Sequence, residues 1–285
     1  MNQLSELQMD FIEFLVSCEV LRFGDFTTKS GRKTPYFVNT GMVRTGSQLE
    51  CFGSFYAQCI ATRFSDQFDF IFGPAYKGIP LAAAITTSLA REHGIDCGYC
   101  FDRKEIKDHG EGGSLVGYQP QDGDRVLIVE DVTTAGTSIR ETVPKLKAAA
   151  DVHLAGLMIS VDRRERGTDD RAALDQLSEE FEMPCTAIVQ VQQVLHHLHN
   201  REINGKVHID DALRDRMPEY LAALCAMDVS LHAMEVVSRL ATGGDPPPEF
   251  VGAYVSKCIS ACETMQDAYA PGQVYSALQQ SSRVS

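Results

Sequence analysis

The sequence predicts an α/β fold: a parallel sheet with helices on both faces. Two observations carry this. Short runs that are almost continuously apolar alternate with longer stretches of helical period. An unbroken apolar run is the pattern of a strand buried on both faces, and the intervening helices supply the cover. In such sheets, ligands bind beyond the carboxyl ends of the strands, where the strand order reverses.

The elements follow in order. Leu4, Leu7, Phe11, Phe14 and Cys18 recur at three and four residues and predict an N-terminal helix. The stretch from Gly24 to Thr34, rich in Gly, Thr, Lys and Ser, predicts a loop. Phe68–Phe72, Tyr99–Phe101, Val126–Val129, Leu157–Val161 and Ala187–Val191 read as strands. Leu49–Phe64, Ile79–Glu92, Gly136–Ala150 and Asp170–Phe181 read as helices, and Pro144 should kink the third. The alternation stops near Leu195, and Arg201–Ala226 reads as a polar linker and one more helix. Leu231, Met234, Val237 and Leu240 then form a helical stripe. A break at Gly243–Pro248 separates it from a second stripe carrying Val251, Val255, Cys258, Cys262, Met265 and Tyr269.

The bulk numbers narrow the function. A chain of 285 residues allows one large domain or two small ones. Lys and Arg total 26 against 39 Asp and Glu, a net charge of −13, which argues against a nucleic-acid partner. An anionic ligand would need a local basic cluster. Nine cysteines, an odd number, suggest free thiols in a reducing compartment, and hence the cytoplasm. No run is long and apolar enough to cross a membrane, and the acidic N-terminal stretch does not read as a secretory signal. Cys97 and Cys100 form a CxxC without a second pair to complete a zinc site, so core thiols are expected. His196, His197 and His199 lack further ligands at metal spacing and read as a solvated helix end.

Val126–Ser138 is the most informative stretch. An apolar strand ends in Glu130 and Asp131, a loop of small hydroxyl residues with Gly136 follows, and a helix begins. Unpaired N–H groups and the dipole at a helix start favour phosphate. The acids would repel a bare phosphate, but they suit the hydroxyls of a sugar or a bound cation. A phosphorylated sugar satisfies both halves. The lysine of a Walker loop and the GxGxxG spacing are both missing.

Val126–Ser138 resembles the phosphoribosyl-pyrophosphate (PRPP) motif of type I phosphoribosyltransferases. Phe23–Phe37, Phe72–Pro80, Asp102–Gly113 and Ser160–Gly167 resemble, in the same order, motifs of the orotate phosphoribosyltransferase family. The resemblance covers about residues 1–226. It implies a Rossmann-like parallel sheet with a small hood, and transfer of the phosphoribosyl group from PRPP to orotate.

It also implies roles. Val132, Thr133, Thr134, Ala135, Gly136, Thr137 and Ser138 would hold the 5′-phosphate, and Glu130 and Asp131 the ribose hydroxyls. Lys29, Tyr76 and Lys77 would contact PRPP, with Lys77 at pyrophosphate. Arg103, Lys104, Lys107 and His109, followed by a glycine-rich run, would form a lid delivering positive charge. Lys104, Lys107, His109 and Asp131 would be the catalytic set. Lys29, Phe37, Val38, Thr134 and Arg163 would bind orotate, Arg163 pairing with its carboxylate. Magnesium would be carried mainly by PRPP and water rather than by protein ligands. The partner would be a second copy of the chain, with lids shared between subunits in a homodimer.

Residues 227–269 resemble something else, a fragment of the eleventh subunit of the CCR4–NOT deadenylase complex. Residues 1–226 are therefore expected to form the enzyme domain, and 227–285 a helical extension, an appended fragment without enzymatic role.

Overall fold

The structure, a computed structural model, describes residues 4–27, 33–65, 67–103, 114–133, 136–163 and 173–216. Both helices expected beyond residue 226 lie outside these residues.

Helix α1 (Glu6–Ser17) starts at a capping box, in which the Ser5 hydroxyl accepts from the Gln8 N–H and the Gln8 side chain accepts from Ser5 N–H. Strands β1 (Leu21–Thr27) and β2 (Lys33–Val38) follow as an antiparallel pair. This corrects the expected loop at its two ends, 24–27 and 33–34; residues 28–32 lie outside the described residues. The polar composition conceals strand residues such as Leu21, Thr34 and Tyr36, which are buried. Helix α2 (Gly46–Arg63) leads to β3 (Phe70–Phe72), and α3 (Gly78–Ser88) runs on through a π-turn, Leu89–His93.

Next come β4 (Gly98–Asp102), β5 (Leu115–Gly117) and β6 (Arg125–Glu130). Helix α4 (Thr137–Ala149) continues through Pro144. Strand β7 (His153–Asp162), α5 (Ala173–Phe181), β8 (Cys185–Gln190) and α6 (Val191–Leu198) complete the alternation. The expected linker after it holds a small hairpin, β9 (Glu202–Ile203) with β10 (Lys206–Val207), and a helical turn over 211–216.

The main sheet has six strands in the order β5-β4-β3-β6-β7-β8. Five are parallel, and β5 pairs antiparallel with β4 at the edge. The purely parallel sheet of the sequence reading is thus amended by one short strand. From β3 the chain moves outward to β4 and β5, then returns to β6 on the other side of β3. The switch in strand order therefore lies between β3 and β6.

Each central strand is buried on both faces. Phe70, Phe72, Val126, Ile128, Leu157 and Ile159 meet Ile139, Val143 and Leu146 of α4 and Leu177 of α5 in one core. Ile71, Leu127, Val129 and Met158 alternate with them on the other face and are likewise fully buried. There α2 and α3 pack together, and α1 and α2 reach β8. Each such side chain contributes about 1.5–3 kcal/mol of transfer free energy, so this double-sided core is the main stabilising element.

The other sequence expectations resolve simply. Cys100 is buried in β4, and Cys97 is half-buried and free. Burial pushes the Cys97 thiol up to about 11 and Cys100 to about 12, so neither supplies the thiolate that redox or zinc chemistry needs. His197 is not solvated. It is buried on α6 with Nε2 3.1 Å from Glu13 of α1, a partner that sequence spacing does not reveal.

The turn after β3 is the tightest point of the sheet. A Cβ on Gly73 would sit 2.1 Å from the Gly78 carbonyl oxygen and 2.6 Å from its carbon. Only glycine lets the strand end and the start of α3 come this close. Gly73→Ala is expected to lose at least about 3 kcal/mol of stability, the scale of a severe core disruption. Denaturant unfolding measures this, and a midpoint unchanged from the parent would refute the assignment.

Candidate active site

The switch between β3 and β6 sets two loops side by side. The first, Gly73–Lys77, leaves β3 and contains a cis peptide between Ala75 and Tyr76. The second begins at Glu130, the last residue of β6, and runs to the start of α4. Lys77 sits at the N-cap of α3, and its Nζ reaches across to Asp131 Oδ2 at 2.9 Å. The lysine is half-exposed, whereas Asp131 is buried at 8% exposure.

Asp131 is held from several sides. The Thr40 hydroxyl donates to the same Oδ2. The Asp131 carbonyl accepts from both the Ser160 hydroxyl, at 2.5 Å, and the Ser160 N–H, at 3.0 Å. One residue earlier, the Tyr56 hydroxyl donates to the Glu130 carbonyl at 2.8 Å. Three elements, α2, β7 and the turn after β2, therefore fix the acidic pair. Thr40, Tyr56 and Ser160 were not singled out from sequence, because each meets its partner only through the tertiary fold.

Glu130 is less satisfied. Its Oε1 accepts from the Ser138 hydroxyl at 2.6 Å, but Oε2 is buried without a hydrogen-bond partner among the described residues. An unmet buried acceptor costs about 1–3 kcal/mol. Burial pushes the Glu130 carboxyl up to about 7; the Asp131 charge adds to the rise, while Ser138 and Lys77 oppose it.

The loop into α4 is shaped for close approach. Gly136 caps the helix at φ +73°, a left-handed conformation that favours glycine, and its N–H donates to Thr133 Oγ1 at 3.1 Å. Thr133 is buried, Val132 and Ser138 are half-buried, and Thr137 is exposed at the helix start. Thr134 and Ala135 lie outside the described residues. So do Lys29 and the expected lid residues Lys104, Lys107 and His109. Arg103, just before that segment, is described, and its N–H donates to the Ser114 carbonyl beyond it at 2.8 Å. The two ends of the segment are thereby tied together.

Arg163 follows β7 directly. Its guanidinium lies 5.2 Å from the Tyr36 ring centroid, with Nε 3.5 Å from the Tyr36 hydroxyl. Phe37, next along β2, packs instead against Phe26 at 5.8 Å, under the Arg22 guanidinium. Val38 returns to the Tyr36 side of the strand. Tyr36, rather than its neighbour Phe37, is thus the ring on which the Arg163 guanidinium lies. A core aromatic and a ligand wall look alike in sequence. Tyr76 is 66% exposed. A separate cavity of about 1040 Å³ opens at the β8 edge, near Gln8, Arg63 and His196, away from these loops.

The comparisons with known proteins agree with this geometry. The phosphoribosyl transferase domain family matches residues 52–197. The orotate phosphoribosyltransferase of Clostridium acetobutylicum is 52% identical over 217 residues, which are 76% of this chain and 97% of that protein. The chain belongs to the orotate phosphoribosyltransferase family. The family member from Clostridium beijerinckii is 54% identical over 211 residues, covering 74% of this chain and 94% of that protein. The crystal structure of the family member from Francisella tularensis is 40% identical with a TM-score of 0.63, over 74% of this chain and 96% of that one. A second family, CCR4-NOT transcription complex subunit 11, matches residues 192–277. That stretch contains the 227–269 segment, and it begins upstream, inside α6. The orotate phosphoribosyltransferase relatives thus account for about three quarters of the chain and leave the C-terminal remainder.

The Glu130 environment has a measurable consequence. Its folded-state pKa lies above the unfolded value of about 4.5. The folded state therefore holds the extra proton between pH 4.5 and about 7, and stability falls as pH rises through that window. Glu130→Gln should remove this loss, making the ligand-free variant more stable than the parent at pH 8 by about 2 kcal/mol, with little difference at pH 4.5. Urea unfolding at both pH values checks this, and parallel curves would contradict it.

Proposed function

We propose that this chain transfers the phosphoribosyl group of PRPP to orotate, giving orotidine 5′-monophosphate and pyrophosphate in pyrimidine synthesis. One observation carries the reading. Lys77 and the Glu130–Asp131 pair face each other across the switch point, in a chain whose family is orotate phosphoribosyltransferase. A cation and two anions at one cleft suit a ligand with a pyrophosphate beside two ribose hydroxyls.

The chemistry follows from charge. The bond from C1′ to pyrophosphate breaks with its electron pair leaving on pyrophosphate, and a ring nitrogen of orotate supplies the new pair. Positive charge develops on the ribose between the two events. Asp131 and Glu130 accept from the ribose hydroxyls and oppose that charge with their own. Lys77 turns from Asp131 to the departing pyrophosphate, and the start of α4 with Thr133–Ser138 takes the 5′-phosphate. Arg163, oriented by Tyr36, pairs with the orotate carboxylate, and Lys29, Val38 and Thr134 complete that subsite, whereas Phe37 packs on Phe26 on the other face of β2. Arg103, Lys104, Lys107 and His109 close over pyrophosphate and exclude water.

Among the described residues no group of three metal-ligating side chains occurs. The two carboxylates of Glu130 and Asp131 beside Lys77 suit a magnesium ion carried mainly by PRPP and water, with the acids positioning the ribose hydroxyls. When bound, the ion neutralises pyrophosphate and makes it a better leaving group.

A homodimer with shared lids is the assembly we favour. Among the described residues Tyr76 and Tyr99 are the large exposed aromatics, and Tyr99 flanks a small-residue face of α3 formed by Ala83, Thr86 and Thr87. An exposed aromatic beside small side chains suits a partner surface. The free cysteines among the described residues suit a reducing, cytoplasmic site. Residues 1–226 form the enzyme domain in this reading, and 227–285 add no catalytic group.

Three measurements test it. Purified protein with PRPP and magnesium should consume orotate and release pyrophosphate, and turnover of uracil or adenine in its place would overturn the substrate. Lys104→Ala should lower turnover about 100-fold or more with an unchanged unfolding midpoint; matching losses in both would remove Lys104 from the lid. Truncation after Ala226 should leave orotate turnover within about threefold, since relatives at about half identity lack the remainder.

A further inference from the structure

Asp102 is a buried carboxylate that none of the assigned roles uses. It ends β4, it is 4% exposed, and both its oxygens are engaged by other elements. Oδ1 accepts from the Ala75 N–H at 2.8 Å. Oδ2 pairs with Lys145 Nζ of α4 at 2.5 Å. The next residue, Arg103, opens the lid segment, whose two ends meet through Arg103 N–H and the Ser114 carbonyl. One carboxylate therefore ties together the turn that carries Lys77, the base of the lid and the helix whose start forms the phosphate loop.

A carboxylate at this depth needs a reason. Removing an ion pair from water is costly, and a hydrophobic pair of similar volume is often as stable. What the charged pair adds is direction. It aims a backbone N–H two residues before Lys77, and it anchors that aim to a helix rather than to solvent. We propose that Asp102, held by Lys145, is a positioning residue for the pyrophosphate half of the PRPP site. It sets the Ala75–Lys77 turn relative to the lid base and touches no substrate itself. This inference rests on the reading given under Proposed function, which places pyrophosphate at Lys77.

The test compares four full-length variants, Asp102→Ala, Asp102→Asn, Lys145→Met and the Asp102→Asn/Lys145→Met double variant, with the parent. PRPP KM and orotate KM are measured separately, together with the Kd of inorganic pyrophosphate in magnesium by calorimetry. Asp102→Ala should raise PRPP KM and pyrophosphate Kd about tenfold, the worth of one well-made hydrogen bond to a charged acceptor, and leave orotate KM within about twofold. Asp102→Asn still accepts from Ala75 and should stay within about threefold.

Lys145→Met strands the buried carboxylate and should weaken pyrophosphate binding about tenfold, with recovery in the double variant. A purely structural role would lower kcat through a smaller folded fraction and leave both KM values in place. That pattern, or equal shifts in PRPP and orotate KM, would overturn the proposal. If Asp102→Ala does not fold, Lys145→Met and its rescue decide the matter alone, and absence of rescue counts against it. A parent protein that binds pyrophosphate yet never turns over orotate would break the functional reading, while the pyrophosphate affinities would still decide the role of Asp102.

Discussion

Everything at the candidate site depends on the parallel pairing of β3 with β6, Phe70 with Val126 through Phe72 with Ile128. The two strands are far apart in sequence and adjacent in the sheet. Because the chain leaves β3 toward one edge and returns to β6 on the other side, no connection crosses the gap above their carboxyl ends. Two loops end there, Gly73–Lys77 and the one that begins at Glu130, and Lys77 meets Asp131 between them. The apolar contacts on both faces hold this register, since a slip of one residue would turn every buried side chain to the wrong face. The short β5 at the far edge and the β1–β2 pair can vary without disturbing that gap.

Within the gap, the fold spends polar groups on backbone rather than on side-chain display. Tyr56 and Ser160 donate to the carbonyls of Glu130 and Asp131, and Asp102 receives the N–H of Ala75. These contacts fix where the side chains of Glu130, Asp131 and Lys77 start. The exception is Glu130, whose Oε2 is buried and unmet among the described residues. Local rules of burial are broken at this carboxylate, as is usual where function sets the requirement.

Most of the architecture was readable in the sequence because its strands are buried on both faces and its helices are amphipathic. β6 and β7 needed only an extension by a few residues; Glu130 and Asp131 stand out at a strand end, and Lys77 stands out only through the motif resemblance. What escaped depends on partners distant along the chain. Thr40 meets Asp131 across 91 residues, and Lys145 meets Asp102 across 43. No local pattern marks such pairs. The β1–β2 pair escaped for a different reason: Gly24, Thr28, Lys29 and Ser30 have turn composition, and only the buried set Leu21, Thr34 and Tyr36 shows the strand character. The net charge of −13 misled as an average, since the basic residues that a polyanion needs are gathered at Lys77 and Arg103–His109.

The Lys77–Asp131 contact gives each charge of the cleft a counter-ion within the chain. Filling the cleft is therefore an exchange rather than an addition. A molecule that brings only a phosphate takes the lysine and leaves Asp131 short of its cation. One that brings only hydroxyls satisfies Asp131 and leaves the ammonium without its partner. Only a ligand carrying both groups, at the spacing of the two side chains, releases each half of the pair into a new contact. The cleft thereby selects for bifunctional molecules before any residue has read the identity of the base.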